Sequence, residues 1–255
     1  AIVSRPFHLD VITKVADKRD QPLNVMLDVD VGMQRTGIGV SDEAAQLYRD
    51  IHAHPLLTTA GFHVYDGHDN FSDVALREAK AAGHIAAVLK FKQAIESSGV
   101  EVPFIVGGGS WSFQFYARTD GIYGSPGSFI YWDAGYSSEM PDLPFKWAAL
   151  VLTQVVDRYT DTGTITTDLG CKGISSDLVL EERAFLLGHD SARLVSQSEE
   201  HGVFRLAGEL PQVGAYLLAV PGHICPTTIR YPGSHVLDSS GHVVDYYLHT
   251  ARDRQ

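Results

Sequence analysis

The sequence has 255 residues, is 44% hydrophobic and carries a net charge of −11. A chain of this length buries a large core as one big domain or two smaller ones, so a soluble globular protein is expected. Its acidic balance, with no basic stripe, opposes long-range attraction to nucleic acid or an anionic membrane, and neither partner is expected. The two cysteines, Cys171 and Cys225, are too few for a disulfide framework. No apolar run is long enough to span a bilayer and no signal peptide opens the chain, so a cytoplasmic protein is expected.

In chain order, Ala1 to Ser4 reads as a buried strand, followed by a helix from Leu9 to Lys18 and a strand from Leu23 to Val31. A helix is expected from about Asp42 to His54 behind a Ser41 cap, then a strand from Thr58 to Tyr65 and a long helix from about Val74 to Ser98. The strand Val102 to Val106, a glycine turn, a short helix near Trp111 to Arg118 and a strand from Ser128 to Asp133 complete this part. Strands alternating with helices predict a parallel α/β sheet or barrel whose binding residues lie where strands end.

The character changes near Phe145. From there the pieces are short, β-branched and separated by turns: Ala149 to Arg158, Gly163 to Asp168, Ala192 to Ser198, Gly202 to Ala207, Ala215 to Ala219, Ile229 to Tyr231 and His235 to Leu237. Such pieces predict an antiparallel β domain. The expected division is therefore residues 1–144, the later part of a β/α barrel, and residues 145–255, a C-terminal β domain.

Five stretches offer chemistry. Arg35 follows the strand Leu23 to Val31, where its guanidinium suits an anionic ring oxygen, a carboxylate or a phosphate, or else pairs with Asp28 or Asp30. Tyr65 closes the next strand, placed either against a flat ligand or in ordinary packing. The run Val106-Gly107-Gly108-Gly109-Ser110-Trp111, and a second turn at Gly124-Ser125-Pro126-Gly127-Ser128, present backbone N–H groups and hydroxyls suited to a phosphate. There is no P-loop lysine or dinucleotide spacing, which favours a phosphate belonging to a cofactor. Finally, His223 and Cys225 in Pro221-Gly222-His223-Ile224-Cys225-Pro226 would point to one side if that segment were extended. Imidazole plus thiolate suits zinc, and two protein ligands leave open positions for water or a substrate hydroxyl; the alternative is a buried cysteine and a hydrogen-bonded histidine.

Taken in order, Asp30-Val31-Gly32-Met33-Gln34-Arg35-Thr36-Gly37, Tyr65-Asp66-Gly67-His68, the Gly107–Ser112 turn, Ser125-Pro126-Gly127-Ser128, Ser198-Glu199-Glu200-His201 and His223-Ile224-Cys225-Pro226-Thr227 resemble the D-threonine aldolase and D-serine dehydratase family over nearly the whole chain. That family is similar in fold to the alanine racemase barrel. The resemblance implies pyridoxal 5'-phosphate chemistry assisted by a divalent metal, zinc first and manganese or magnesium next, on D-3-hydroxy amino acids. It assigns Arg35, Tyr65, Gly108, Gly109, Ser110, Gly127 and Ser128 to the cofactor, His223 and Cys225 to the metal and to catalysis, and His201 to catalysis.

The activity so implied is retro-aldol cleavage to glycine and an aldehyde, with deamination of D-serine type or racemisation as alternatives, in a homodimer. The family's Schiff-base lysine stands near the end of the first barrel strand, and no lysine here fills that place. It is expected upstream of residue 1, in keeping with a reading of only about five of the eight strands such a barrel needs.

Overall fold

The computed structural model describes residues 1–250 and Arg252. The chain forms two compact units, Ala1–Gly127 and the portion from Ser128 onward.

The first unit runs β1 (Ile2–Val3), α1 (Pro6–Arg19), β2 (Leu23–Asp30), β3 (Ile38–Gly39), α2 (Asp42–Ala53), β4 (Leu57–Val64), α3 (Val74–Glu96), β5 (Ile105–Gly107), α4 (Phe113–Tyr116) and β6 (Ile122–Gly124). Its parallel strands lie in the order β1-β2-β4-β5-β6, with β3 beside β2. Both long helices begin as the sequence dictates. The Ser41 hydroxyl accepts from Ala44 N at 3.2 Å, and the Asp73 carboxylate accepts from Leu76 N at 2.9 Å. In α2 the residues Ala44, Leu47, Tyr48 and Ile51 form one apolar stripe and are buried.

That stripe packs on a row of side chains running across the sheet. Val3, Leu27, Phe62, Ile105 and Ile122 are register partners from strand to strand, and all are buried. The Phe62 ring sits 5.3 Å from Tyr48 of α2 and 5.3 Å from Phe91 of α3. Alternation then sends Asp28, His63 and Tyr123 to the opposite face of the sheet. The polar strand residues thereby escape the core, and the strand ends that follow Asp30, Val64 and Gly107 lie side by side.

The second unit continues with a 3₁₀ turn (Ser128–Ile130), α5 (Ala134–Glu139), β7 (Val151–Tyr159), β8 (Thr164–Thr167), a 3₁₀ turn (Leu180–Glu182), β9 (Ala184–Leu186), β10 (Arg193–Gln197), β11 (Gly202–Arg205), β12 (Tyr216–Pro221), α6 (Ile224–Thr228) and the hairpin β13 (Gly233–Leu237) and β14 (Val243–Leu248). Six strands pair antiparallel in the order β10-β11-β8-β7-β12-β9. Leu194, Phe204 and Ile165 are cross-strand neighbours with no exposed surface, and they anchor the core.

The structure corrects two expected strands and resolves one conditional reading. Residues 128–133 are not a strand: the place beside β5 belongs to Ile122–Gly124, and the aromatic run packs as a knot instead. Trp132, at φ 51° and 1% exposed, stacks on Tyr136 at 5.1 Å and tilts against Phe145 at 5.0 Å. Residues 229–231 form the turn after α6. The segment holding His223 and Cys225 is not extended through both residues, because α6 begins between them. The change of sequence character near Phe145 falls inside the second unit, since Ala148 N bonds Tyr131 O at 2.8 Å and Gly135 N bonds Gly222 O at 3.1 Å. No helix among the described residues is long and apolar enough to cross a membrane.

Candidate functional site

In the first unit, the loop after β2 is tied by its own aspartate. Asp30 Oδ1 accepts from Gly32 N at 2.9 Å and Gln34 N at 3.1 Å, an Asx-type turn that reverses the chain. The turn delivers the Arg35 guanidinium over the Tyr65 ring, 4.5 Å from its centroid. Arg35 therefore stacks rather than forming the alternative pair with Asp28 or Asp30. Asp28 bonds His63 Nδ1 at 2.7 Å. Burial pushes the Asp28 carboxyl upward, but hydrogen bonds from His63 and Thr36 and the charges of His63 and Arg35 outweigh it and hold the group below its ordinary range. Asp28, Asp30, Met33, Arg35, Thr36 and Tyr65 line one narrow cleft.

Tyr65 lies flat against glycines. A Cβ at Gly67 would stand 2.4 Å from its ring and one at Gly109 would stand 2.9 Å away, so any side chain at either position would displace it. Gly108, at φ 81°, starts the turn, but its N–H already donates to Val64 O at 3.2 Å. Gly109 N donates to Asp66 Oδ1 at 3.3 Å and Ser112 Oγ at 3.2 Å. These two amides build the turn, and Ser110 beside them is buried, at 8% exposure. The second turn is tied to the first by Ser125 N bonding Gly107 O at 3.0 Å, and a Cβ at Gly127 would meet open space.

In the second unit, His223 is the N-cap of α6 and Cys225 lies in its first turn. Helix geometry, rather than strand alternation, brings the imidazole and thiol into hydrogen-bond contact. His223 Nδ1 also meets Asp177 Oδ2 at 2.6 Å, and Asp177 is held by the Ser175 hydroxyl. The bond to Cys225, opposed by burial and reinforced by Asp177, pushes His223 up to about 9. The bond from His223 in turn lowers Cys225, against burial, with help from the Ser128 hydroxyl. The His223 imidazole is thus biased toward its protonated form and the Cys225 thiol toward its ionised one.

Asp133, 2% exposed, fixes the start of both short helices: Oδ1 accepts from Tyr136 N at 2.7 Å and Oδ2 from Ile224 N at 2.9 Å. Ser128 therefore sits beside the thiol and, at 3.4 Å, the Tyr136 hydroxyl. His201 closes the β10–β11 turn, exposed, its carbonyl accepting from Ser198 N at 2.8 Å. Its neighbours Glu199 and Glu200 pair with Lys172 at 2.8 and 2.9 Å. Lys14 and Lys18 lie on α1, and Lys80, Lys90 and Lys92 on α3, so no strand of the parallel sheet carries a lysine.

Sequence reasoning missed Asp177, 46 positions before His223, because nothing in its loop marks a partner. It also missed the Asp28–His63 pair, although polar residues alternating with apolar ones on neighbouring strands were a usable signal.

A parallel α/β unit of barrel type, followed by an antiparallel β unit bearing an imidazole–thiol pair, defines an alanine racemase-like architecture. The "Alanine racemase, N-terminal domain" model matches residues 1–134 and the "Putative serine dehydratase domain" model matches residues 148–237. The chain belongs to the alanine racemase N-terminal domain family, a family of pyridoxal phosphate-dependent enzymes with some metal-dependent members.

It is 29% identical over 229 residues to 3-hydroxy-D-aspartate aldolase of Paracoccus denitrificans strain Pd 1222, covering 85% of this chain and 57% of that protein. It is 28% identical over 264 aligned positions to D-threonine aldolase of an Arthrobacter species, covering 98% of this chain and 66% of that one. Among solved structures, D-threonine aldolase from Filomicrobium marinum superposes with a TM-score of 0.90 at 25% identity, covering 98% of this chain and 68% of that chain. The chain thus spans 57% and 66% of the lengths of these two curated relatives.

Proposed function

We propose that this chain serves a pyridoxal phosphate- and divalent metal-dependent lyase that cleaves D-3-hydroxy amino acids to glycine and an aldehyde, as the names of its aldolase relatives suggest. The observation that carries the reading is the His223–Cys225 pair braced by Asp177, which offers a metal one nitrogen and one sulfur. Bound pyridoxal phosphate would supply an electron sink for charge at the substrate α-carbon, and a bound divalent ion Lewis acidity at the β-hydroxyl.

The residues present fit both groups. Arg35 and Tyr65 form a flat cationic platform in front of glycines that a Cβ would fill. Ser110 and the open turn at Gly127 suit the phosphate, and Ser128 is assigned to it on the strength of the family motif. Asp177 holds His223 Nδ1, so Nε2 is the nitrogen left to ligate. Cys225 already leans to the thiolate form that a soft ligand needs. Zinc fits this donor set best. A homodimer in the cytoplasm completes the reading, with His201 assigned to catalysis on the strength of the family motif.

A dehydratase reading is favoured by one observation, the serine dehydratase model that covers His223 and Cys225. Product analysis decides between the two. The zinc-loaded protein with D-threonine and D-3-hydroxyaspartate should release glycine and the aldehyde, whereas a 2-oxo acid with ammonia would mark a dehydratase. Racemised substrate with no cleavage in the presence of metal would overturn both. Borohydride reduction with pyridoxal phosphate followed by peptide mapping should locate the lysine that holds the cofactor.

A further inference from the structure

The first unit holds a second cluster of metal-ligating side chains, none of which lines the cleft under Arg35. His68 and Asp69 lie in the loop after β4, and His84 lies on α3. His84 Nε2 is 2.6 Å from Asp69 Oδ2, and His68 Nε2 is 3.8 Å from the same oxygen. The two imidazoles are 5.7 Å apart and tilted by 51°. One ligand atom from each residue lies within 4.8 Å of the other two, and among the described residues this is the one such group of three.

We propose that His68, Asp69 and His84 form a binding site for a divalent first-row transition ion, zinc before the others, which pins the loop after β4 to α3. Donors about 2.1 Å from a tetrahedral ion lie roughly 3.4 Å from one another. The distances of 2.6 and 3.8 Å fall on either side of that value, so each donor moves by less than about 1 Å to close around an ion. The hydrogen bond from His84 to Asp69 explains why those two meet, but it gives His68 no reason to converge on the same oxygen.

The backbone leaves room for an ion. A Cβ at Gly32 would lie 2.9 Å from His68 Nε2, so the glycine keeps the coordinating nitrogen uncovered. Asp69 is 6% exposed, and its N–H is fixed on Asp66 O at 3.0 Å. The histidine side chains keep 32% and 18% of their surface, which gives an ion an approach from solvent. Two neutral imidazoles and one carboxylate leave a divalent ion with one net positive charge and a fourth position for water. No sulfur enters this set, which separates it spectroscopically from His223 and Cys225.

The test is a Co2+ titration of the metal-free protein. The expected wild-type result is two equivalents, one with thiolate-to-cobalt charge transfer and one with ligand-field bands alone. C225A should lose the first and keep the second. H68A should keep the charge-transfer band, lose one equivalent and lose the part of the metal-induced rise in Tm that C225A retains. H84N should behave as H68A does, with circular dichroism confirming that both fold. Because His68 is partly exposed, H68A keeps the test decisive should H84N unfold. A wild-type protein with no sulfur-free cobalt equivalent, or an H68A protein that binds as much cobalt as wild type, overturns the proposal. Loss of the charge-transfer equivalent alone would count against the His223–Cys225 reading and not against this one.

Discussion

The strand ends of the first unit and the start of α6 in the second are built by opposite means. Around Tyr65 the shape is set by backbone: glycine after glycine gives way to one ring, and the amides of Gly108 and Gly109 are spent on Val64, Asp66 and Ser112. Around His223 the shape is set by charge, through Asp177, Cys225 and Ser128. A site made of packing resists pH and salt and fails when volume is added. A site made of ion pairs tolerates volume and fails when a charge is removed or titrated.

The largest effect should come from removing a donor. H223A or C225A should lose the zinc equivalent that binds through the thiolate at pH 7.5, measured by elemental analysis after gel filtration, and cleavage of D-threonine should vanish with it. If either variant retained zinc with its thiolate signature, the charge-built half of the contrast would fail. Next comes D177N, which keeps the shape but weakens the anchor of His223 Nδ1. Loss of such an orienting partner typically costs about 10–100-fold in metal affinity.

The pH dependence of the metal-free protein has a definite sign. His223 is raised to about 9 from its ordinary 6.5, so its contribution to stability is complete below about 6.5 and is lost as pH rises through 9. Cys225 is lowered, so its contribution is present above its ordinary value of 9 and fades as pH falls through its folded value. Thermal melts with chelator, from pH 6 to 9.5, should therefore show the wild-type advantage over H223Q shrinking across the alkaline part of the range. A constant difference would remove the ion pair from the account.

The contrast also explains how much could be read from the chain. Periodicity located α2, α3, β2 and β4 within a few residues, because in each the buried positions recur at the spacing of the element. It misplaced the strand after β5, because Phe129, Tyr131 and Trp132 have strand-like side chains that are used as a packing knot. Arg35, Tyr65 and the glycine turn were legible because strand ends are local. Asp177 was not, because its link to His223 closes only through the fold. The His-x-Cys spacing was read on the condition of an extended segment, and it is instead a helix start that brings the two side chains together.

Adding volume tests the packing-built half. A Gly67→Ala change sets a methyl group 2.4 Å from the Tyr65 ring. Overpacking of this kind costs about 1–3 kcal/mol, read as a lower urea midpoint at an unchanged slope. The cofactor's absorbance should be lost before the fold is, whereas metal uptake at Cys225 should be untouched. Equal loss of both would mean that the two regions are not built independently.

The smallest effect is expected at Arg35. Its guanidinium is exposed and lies 4.5 Å over Tyr65, where a cation–π contact is worth about 0.5–1 kcal/mol. R35M should therefore change stability by no more than that, because no ion pair is broken and the turn that carries the residue is held by Asp30 rather than by the side chain. Pyridoxal phosphate affinity should fall further than stability does, since the charge facing the cofactor goes while the platform remains. R35K restores the charge but not the planar stack, and it should recover only part of the affinity. Full recovery in R35K would show that Arg35 acts as a point charge, and the strand-end site would then depend on electrostatics as the α6 site does.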